Sequence, residues 1–337
     1  MFRNGSQFYR NNTRTETALT FRGRATFEFL EGTRFKFGYG QHGGSAGGNP
    51  CAVRPDEDGH VSLIFDGAVW EVFRSSGGNG ISGSNGKGVV EGRGECLREI
   101  TYHPGWNWRD PFIDQKEVRL DDGAALTVVV GPYRGRDGSD QEGRQLPATV
   151  SQRVPFTGAG SFCFSNATPA TARAYRIRCS DNAATGTVSA AGANASLQFD
   201  DGANWAGTVV ADGNVVLAGA DSGEPAEVSF GGLECRRDFP VRVWGEGTRT
   251  FAKTGAKNDR IHFGETGFLA RGGILVVDPR DGCEPDPGAK WYLGTIAAGA
   301  PGPEPDGDWR IVRKPSADAG VDDLWLAFGK RTMLILR

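Results

Sequence analysis

Short apolar runs alternate along the chain with acidic or amide residues followed by glycine. Runs rich in β-branched and aromatic residues occupy 61–65, 126–130, 274–277 and 324–328. Between such runs lie Asp-Gly and Asn-Gly pairs, which suit turns because glycine takes positive φ and the acidic side chain caps its own backbone. These pairs begin at Asn4, Asp58, Asp66, Asn85, Asp122, Asp137, Asp201, Asp212, Asp281 and Asp306. The pattern predicts an all-β protein: a sandwich, a barrel or a solenoid.

One longer unit recurs in this pattern. An alternating strand, an acidic turn with glycine and a second strand occur together at 27–37, 118–128 and 197–209. Repetition of one such unit is typical of a β-solenoid, in which each coil buries its inner face against the next. Ordinary hairpins of another β fold would give the same local pattern and remain an alternative.

The C-terminal part has a different character. Proline-rich loops at 284–288 and 301–307 separate its predicted strands, and a predicted hairpin at 324–336 would cover the open edge of a solenoid. We therefore predict a right-handed parallel β-helix, or β-solenoid, with long loops over residues 1–250 and a C-terminal β cap over residues 251–337. Two β-sandwich domains are the alternative fold.

Composition supports strands and argues against several function classes. Glycine supplies 51 of 337 residues, which disfavours helices. The net charge of −3 gives no basic footprint for nucleic acid, so no nucleic-acid partner is expected. No apolar run approaches the roughly 20 residues of a membrane-spanning helix.

Cysteine usage points to an oxidising compartment. The six cysteines are Cys51, Cys96, Cys163, Cys179, Cys235 and Cys283. None forms a C-x-x-C pair, and only four histidines are present, so a zinc site is not expected. Dispersed cysteines in even number favour disulfides, and Cys163 with Cys179 is the best candidate pair. Buried free thiols are the alternative.

Motifs that resemble catalytic or cofactor sites lack the structural context that they need. The segments 43–47 (G-x-S-x-G) and 78–83 (G-x-G-x-x-G) lie in glycine-rich stretches that will not start a helix. We therefore predict surface loops there, no catalytic residue and no cofactor. Asp56 and Asp58 form a weak calcium candidate, without the later bidentate Glu of an EF-hand.

The segment 102–112 is the densest group of aromatic and charged residues. Two tryptophans spaced two apart share one face of a strand, where they could stack on a sugar ring while charged neighbours donate hydrogen bonds. Burial in the core is the alternative. The predicted ligand-binding residues are Tyr102, His103, Trp106, Trp108, Arg109 and Asp110.

The C-terminal strands resemble those of bacterial autotransporter passengers. The resemblance rests on residues 272–277, 290–296, 308–312 and 323–326, together with the coil-like segment 213–219, and covers about residues 190–337. It implies a glycine-rich parallel β-solenoid and supplies no catalytic residues.

From this resemblance we expect a non-enzymatic structural or adhesive bacterial protein, secreted or on the cell surface. Its expected partners are surface glycans or other surface proteins. A pectin-lyase-like polysaccharide-degrading enzyme and a carbohydrate-binding module are the alternatives.

Overall fold

The computed structural model describes residues 117–130, 149–152, 154–167, 171–192, 194–219 and 223–329, together with the backbones of strands between residues 7 and 116. In this described part every regular element is a strand and no helix occurs. The predicted all-β class is therefore confirmed for these residues.

The strands are short, as the frequent turns predict. They are β1 (Gln7–Phe8), β2 (Leu19–Phe21), β3 (Arg24–Phe29), β4 (Arg34–Gly38), β5 (Val53–Pro55), β6 (His60–Phe65), β7 (Ala68–Phe73), β8 (Gly88–Gly92), β9 (Leu97–His103), β10 (Gln115–Leu120), β11 (Ala125–Val130), β12 (Thr149–Ser151), β13 (Phe156–Gly158) and β14 (Ser161–Asn166). The remainder are β15 (Arg173–Ile177), β16 (Ala183–Ala184), β17 (Thr187–Ala191), β18 (Ala195–Asp200), β19 (Asn204–Ala211), β20 (Asn214–Ala218), β21 (Glu227–Cys235), β22 (Phe239–Trp244), β23 (Lys257–Asn258), β24 (Arg260–Ala270), β25 (Leu275–Arg280), β26 (Lys290–Ala297), β27 (Trp309–Pro315) and β28 (Val321–Phe328).

The chain divides into two compact units, Met1–Leu197 and Gln198–Arg337. Residues 198–250 belong to the second unit, and the division into a solenoid region over 1–250 and a cap over 251–337 stays a prediction. The sequence boundary followed a change in loop composition, whereas the compact units reflect which strands pack together.

Strands of the first unit pair in parallel with strands further along the chain. Seven of these strands follow one another within one sheet in the order β1–β4–β7–β9–β11–β14–β17, and six form another sheet in the order β3–β6–β8–β10–β13–β16. β12 pairs in parallel with β15, and β2 with β5. In the first sheet, the Thr187 hydroxyl donates to the Ser161 hydroxyl at 3.0 Å, 26 residues away in sequence.

Alternation along β14 places its aromatic residues in the core of the first unit. Phe162 and Phe164 are fully buried, whereas Cys163 between them is part-exposed. The Phe162 ring lies 4.8 Å from that of Phe156 and 5.0 Å from that of Tyr175 on β15. These rings fill the space between sheets, because side chains on a strand alternate between its two faces.

Buried amides satisfy the backbone where the chain turns between these strands. Asn182 Oδ1 accepts hydrogen bonds from Phe156 N at 2.9 Å and from Gln152 Nε2 at 2.7 Å. Gln152 Oε1 accepts from the backbone N–H groups of Arg178 and Cys179. These bonds offset the cost of burying polar groups.

Strand direction changes within the second unit. β19, β21, β24 and β26 follow one another in parallel, and β26, β28 and β27 then pair antiparallel. β22 pairs in parallel with β25 and antiparallel with β23. Of the predicted C-terminal hairpin, residues 324–328 lie in β28, and residues 332–336 lie outside the described residues.

Candidate functional site

Three aromatic rings of the second unit each carry two cationic side chains. Such contacts draw a cation to the negative face of the ring, and structures contain roughly one per 70–80 residues. The described residues of this unit contain six, which makes the clustering unusual. We call these residues the cation–aromatic cluster: Arg242 and Lys257 at Trp244, Lys253 and Arg260 at Tyr292, and Lys290 and Lys314 at Phe251.

The ion pair at Trp244 is buried. Arg242 donates through Nε and Nη2 to the two carboxylate oxygens of Asp259, each at 2.8 Å. The Asp259 side chain is fully buried and also accepts from the backbone N–H groups of Ala226 and Arg242. Lys257 pairs with Glu224 at 3.0 Å on the exposed side. Both cations at this ring therefore have a carboxylate partner.

Tyr292 shares a carboxylate with Lys253. Asp323 Oδ1 accepts from Lys253 Nζ at 2.8 Å and from the Tyr292 hydroxyl at 3.4 Å. Burial, and then the charge of Asp323, raise the pKa of Tyr292. The hydrogen bond to Asp323 raises the pKa of Lys253. At neutral pH this group is therefore a neutral phenol and an ammonium around one carboxylate.

A bulge in β26 positions Tyr292. The register between β26 and β28 shifts between Tyr292 and Gly294, and Thr295 then pairs with Asp323. Gly294 has φ +133°, and a Cβ added there would lie 2.0 Å from the carbonyl oxygen of Ile261. Because one extra residue lies in the bulge, Tyr292 and Thr295 reach the same side of the sheet, beside Asp323.

Three polar side chains form a row across β21, β24 and β26. His262 Nε2 lies 2.8 Å from Glu227 Oε1, and His262 Nδ1 lies 2.8 Å from the Thr295 hydroxyl. Arg260 Nη1 approaches the other Glu227 oxygen at 3.3 Å. Burial acts to raise the pKa of Glu227, but the hydrogen bond and charge of His262, with Arg260, outweigh it and lower that pKa. A hydroxyl, an imidazole and a carboxylate in this order can pass or hold a proton.

The two cationic side chains near the Phe251 ring have no carboxylate partner among the described residues. Lys290 Nζ lies 5.1 Å from the ring centroid and donates to the backbone carbonyls of Arg249 and Gly288. Lys314 Nζ lies 3.4 Å from the same centroid. Neither ammonium forms an ion pair within the described residues. Phe251 is 38% exposed, so this end of the cluster faces solvent.

Five side chains, which we call the Phe251 site, gather at this end: Phe251, Lys290, Arg310, Lys314 and Trp325. The two strands that flank β28 each pair a basic residue, Lys290 or Arg310, with Ala327. In the strand register Lys314 lies opposite Asp323, two residues before Trp325, but the Asp323 carboxylate binds Lys253 and the Tyr292 hydroxyl. Directly opposed residues in antiparallel strands share a face, as do residues two apart, so the basic residues and Trp325 lie on one side of the sheet. The Phe251 ring packs edge-on against Trp325 at 5.3 Å.

An open cleft lies beside β27. It has a volume of about 660 Å³ and is lined by the loop that contains Glu304 and Asp308 and by Trp309 and Arg313. Trp309 packs against Trp291 at 5.2 Å and Phe328 at 5.1 Å. The Arg313 guanidinium is held by Asp322 and by the backbone carbonyls of residues 297 and 300. The volume lies within the roughly 300–1,000 Å³ of small-molecule sites.

The residues predicted to bind ligand or calcium lie where the structure gives no side-chain detail. Tyr102 and His103 belong to β9, of which only the backbone is described. Trp106, Trp108, Arg109, Asp110, Asp56 and Asp58 lie outside the described residues. A ligand surface at 102–112 and a calcium site at Asp56 and Asp58 therefore stay predictions.

The described cysteines, Cys163, Cys179, Cys235 and Cys283, form no disulfide with one another. Cys163 lies at a part-exposed position of β14, and Cys179 lies in the loop after β15. Their disulfide is not formed in the structure and stays a prediction for the oxidised protein. Burial, and then the charges of Asp238 and Glu234, raise the pKa of Cys235 to about 12. Within the described residues no three metal-binding side chains converge on one point.

No sequence pattern singles out the cation–aromatic cluster. The predicted boundary between residues 250 and 251 falls in the polar stretch 245–260, and this stretch supplies Phe251, Lys253 and Lys257. A signal was available: basic residues at 249, 253 and 257 surround one phenylalanine in an otherwise polar segment. The rings and the other cations come from strands distant in sequence, so the convergence itself required the structure.

Comparison with known proteins leaves the chain without an assigned family. The sequence matches no protein-family model, and no curated protein matches it significantly. Among the residues that the structure describes, no helix has the length and apolar character needed to cross a bilayer.

Proposed function

We propose that the strands are coils of a right-handed parallel β-solenoid and that β26, β28 and β27 form its C-terminal cap. Parallel pairing between strands about one coil apart and a stacked aromatic core support this architecture. Right-handed connections are strongly preferred between parallel strands of one sheet. An antiparallel end would cover strand edges that otherwise invite pairing with other chains.

The protein then acts as a non-enzymatic structural or adhesive protein that is secreted or displayed at a bacterial surface. The observation that supports adhesion best is the solvent-facing Phe251, with two ammonium groups that lack carboxylate partners among the described residues. Such a surface offers charge and ring contacts without a catalytic arrangement. Surface glycans or other surface proteins are its proposed partners.

Retention on surfaces tests this function. The purified chain is passed over immobilised neutral polysaccharides, charged polysaccharides and extracellular proteins, with the heat-unfolded chain as control. We expect saturable retention of the folded chain on at least one surface. Retention that is absent throughout, or that is equal for the unfolded chain, would contradict the adhesive function.

A polysaccharide-degrading enzyme of the pectin-lyase-like type is the second candidate. The row of Glu227, His262 and Thr295 with Arg260 favours it, because a carboxylate, an imidazole and a guanidinium lie together on one sheet. This candidate requires product release from a polysaccharide. The adhesive function requires binding without product.

A further inference from the structure

We propose that the Phe251 site binds the acidic groups of an anionic polysaccharide, such as uronate carboxylates or sulfate esters. The inference rests on the proposed adhesive function and names its ligand class. The cluster offers three ring–cation groups, and only one of them lacks carboxylate partners. Binding is therefore assigned to that end of the cluster.

Uncompensated positive charge is the first argument. Lys290 and Lys314 lie 5.1 and 3.4 Å from one ring centroid, so their ammonium groups are within about 8.5 Å of each other. That upper limit is close to the screening length of about 8 Å at physiological ionic strength, so the two charges repel each other most strongly at low salt. Arg310 adds a third cation on the same face and has no ion-pair partner among the described residues. A bound anion would relieve this repulsion.

Unpartnered donors are the second argument. Trp325 is 2% exposed, and its indole Nε1 has no hydrogen-bond partner in the structure. Arg310 Nε is also buried and without a partner. Buried donors are usually satisfied, so these two N–H groups are unusual. Both are closed to solvent, and an acceptor reaches them only if a neighbouring side chain such as Phe251 moves aside. Carboxylate and sulfate oxygens are acceptors and carry the complementary charge.

A polysaccharide fits this surface better than a membrane does. The exposed large apolar side chains in the described residues are Phe251 and Val216, which supply too little apolar surface for insertion among lipids. One part-exposed ring flanked by cations is instead suited to a sugar ring that carries an acidic group. An extended polymer can also repeat weak contacts along a sheet face, which raises its overall avidity.

The test uses the full chain and three polymers: polygalacturonate, dextran sulfate and neutral dextran. The double variant Lys290→Gln/Lys314→Gln removes two charges at the Phe251 site. Arg236→Gln/Arg280→Gln removes two charges outside the cation–aromatic cluster in the same unit, from residues that have carboxylate partners. Circular dichroism and the thermal midpoint establish that each variant is folded. Affinity is measured by biolayer interferometry at low and physiological salt.

We expect wild type to bind one or both acidic polymers and not dextran. The Lys290/Lys314 variant should bind about fivefold to tenfold more weakly at low salt, and the control variant within about twofold of wild type. Tighter binding of wild type to polygalacturonate would identify carboxylates as the preferred ligand groups, and tighter binding to dextran sulfate would identify sulfate esters.

Three results would overturn the inference: equal loss in both variants, equal binding to dextran, or no binding to either acidic polymer. Retention on neutral polysaccharide or on protein would in those cases leave the adhesive function standing. Failure of the site and failure of the function are thus distinguishable.

Discussion

Asp259 connects three segments of the second unit through one buried carboxylate. Its oxygens accept from the Arg242 guanidinium, from the Arg242 backbone and from the backbone N–H of Ala226. Arg242 in turn lies over the Trp244 ring. A buried charge with full hydrogen bonding gives a defined geometry, and loss of either partner leaves the other charge uncompensated.

Asp259→Ala should therefore strongly destabilise the protein. Loss of one member of a buried ion pair typically costs about 3–5 kcal/mol of unfolding free energy, measured by urea denaturation. The matched control is Asp286→Ala, which breaks the exposed pair with Arg249 and should cost no more than about 1 kcal/mol. Similar losses for the two variants would show that Asp259 is not a buried anchor.

Glu227 should give the stability a dependence on acid pH. Its pKa in the folded chain lies below the ordinary value of 4.5. The resulting stabilisation is complete above that ordinary value and is lost as pH falls through the folded pKa. The thermal midpoint of Glu227→Gln should lie below that of wild type at about pH 5, and the difference should shrink as the pH falls below the ordinary value of 4.5. A constant difference across this range would exclude the mechanism.

At the scale of the strand, the sequence indicates which residues alternate between the buried and the exposed face. It does not indicate which strands pair with each other. Residues 161–164 alternate small or polar with aromatic side chains, and β14 buries the aromatic ones as expected. The long strand β24 (Arg260–Ala270) begins ten residues after the last residue of the first predicted region, 1–250. Its outward polar residues pair with those of β21. In this pairing Glu227 lies opposite Arg260, 33 residues later in the sequence, so no local sequence pattern encodes it.

The bulge in β26 depends on one glycine. Gly294→Ala would place a Cβ 2.0 Å from the Ile261 carbonyl oxygen at φ +133°. We expect the free energy of unfolding, measured by urea denaturation, to fall by roughly 2–6 kcal/mol because of backbone strain and overpacking. Gly223→Ala is the control, because a Cβ there meets nothing within 4 Å. An unchanged Gly294→Ala variant would mean that the bulge does not require glycine.

At the scale of the whole molecule, the sequence supports the strand class and the structure supplies the partners of each strand. Turn pairs such as Asp201-Gly202 predicted where strands end, because glycine at φ +77° is a local requirement. The cation–aromatic cluster combines Phe251 from a loop, Tyr292 from β26 and Lys314 from β27. Convergence of residues so far apart depends on strand register, whereas the tryptophans at 106 and 108 lie two apart and can be recognised from sequence.

Non-enzymatic adhesion is the central claim, and one measurement tests it most directly. Binding and product release are scored in the same wells for wild-type chain on polygalacturonate and dextran sulfate, with new reducing ends and unsaturated products both measured. The account predicts retention on an acidic polymer with product at the level of wells without protein. Product that rises with time and protein concentration would contradict it and would assign an enzymatic role to the Glu227, His262 and Thr295 row.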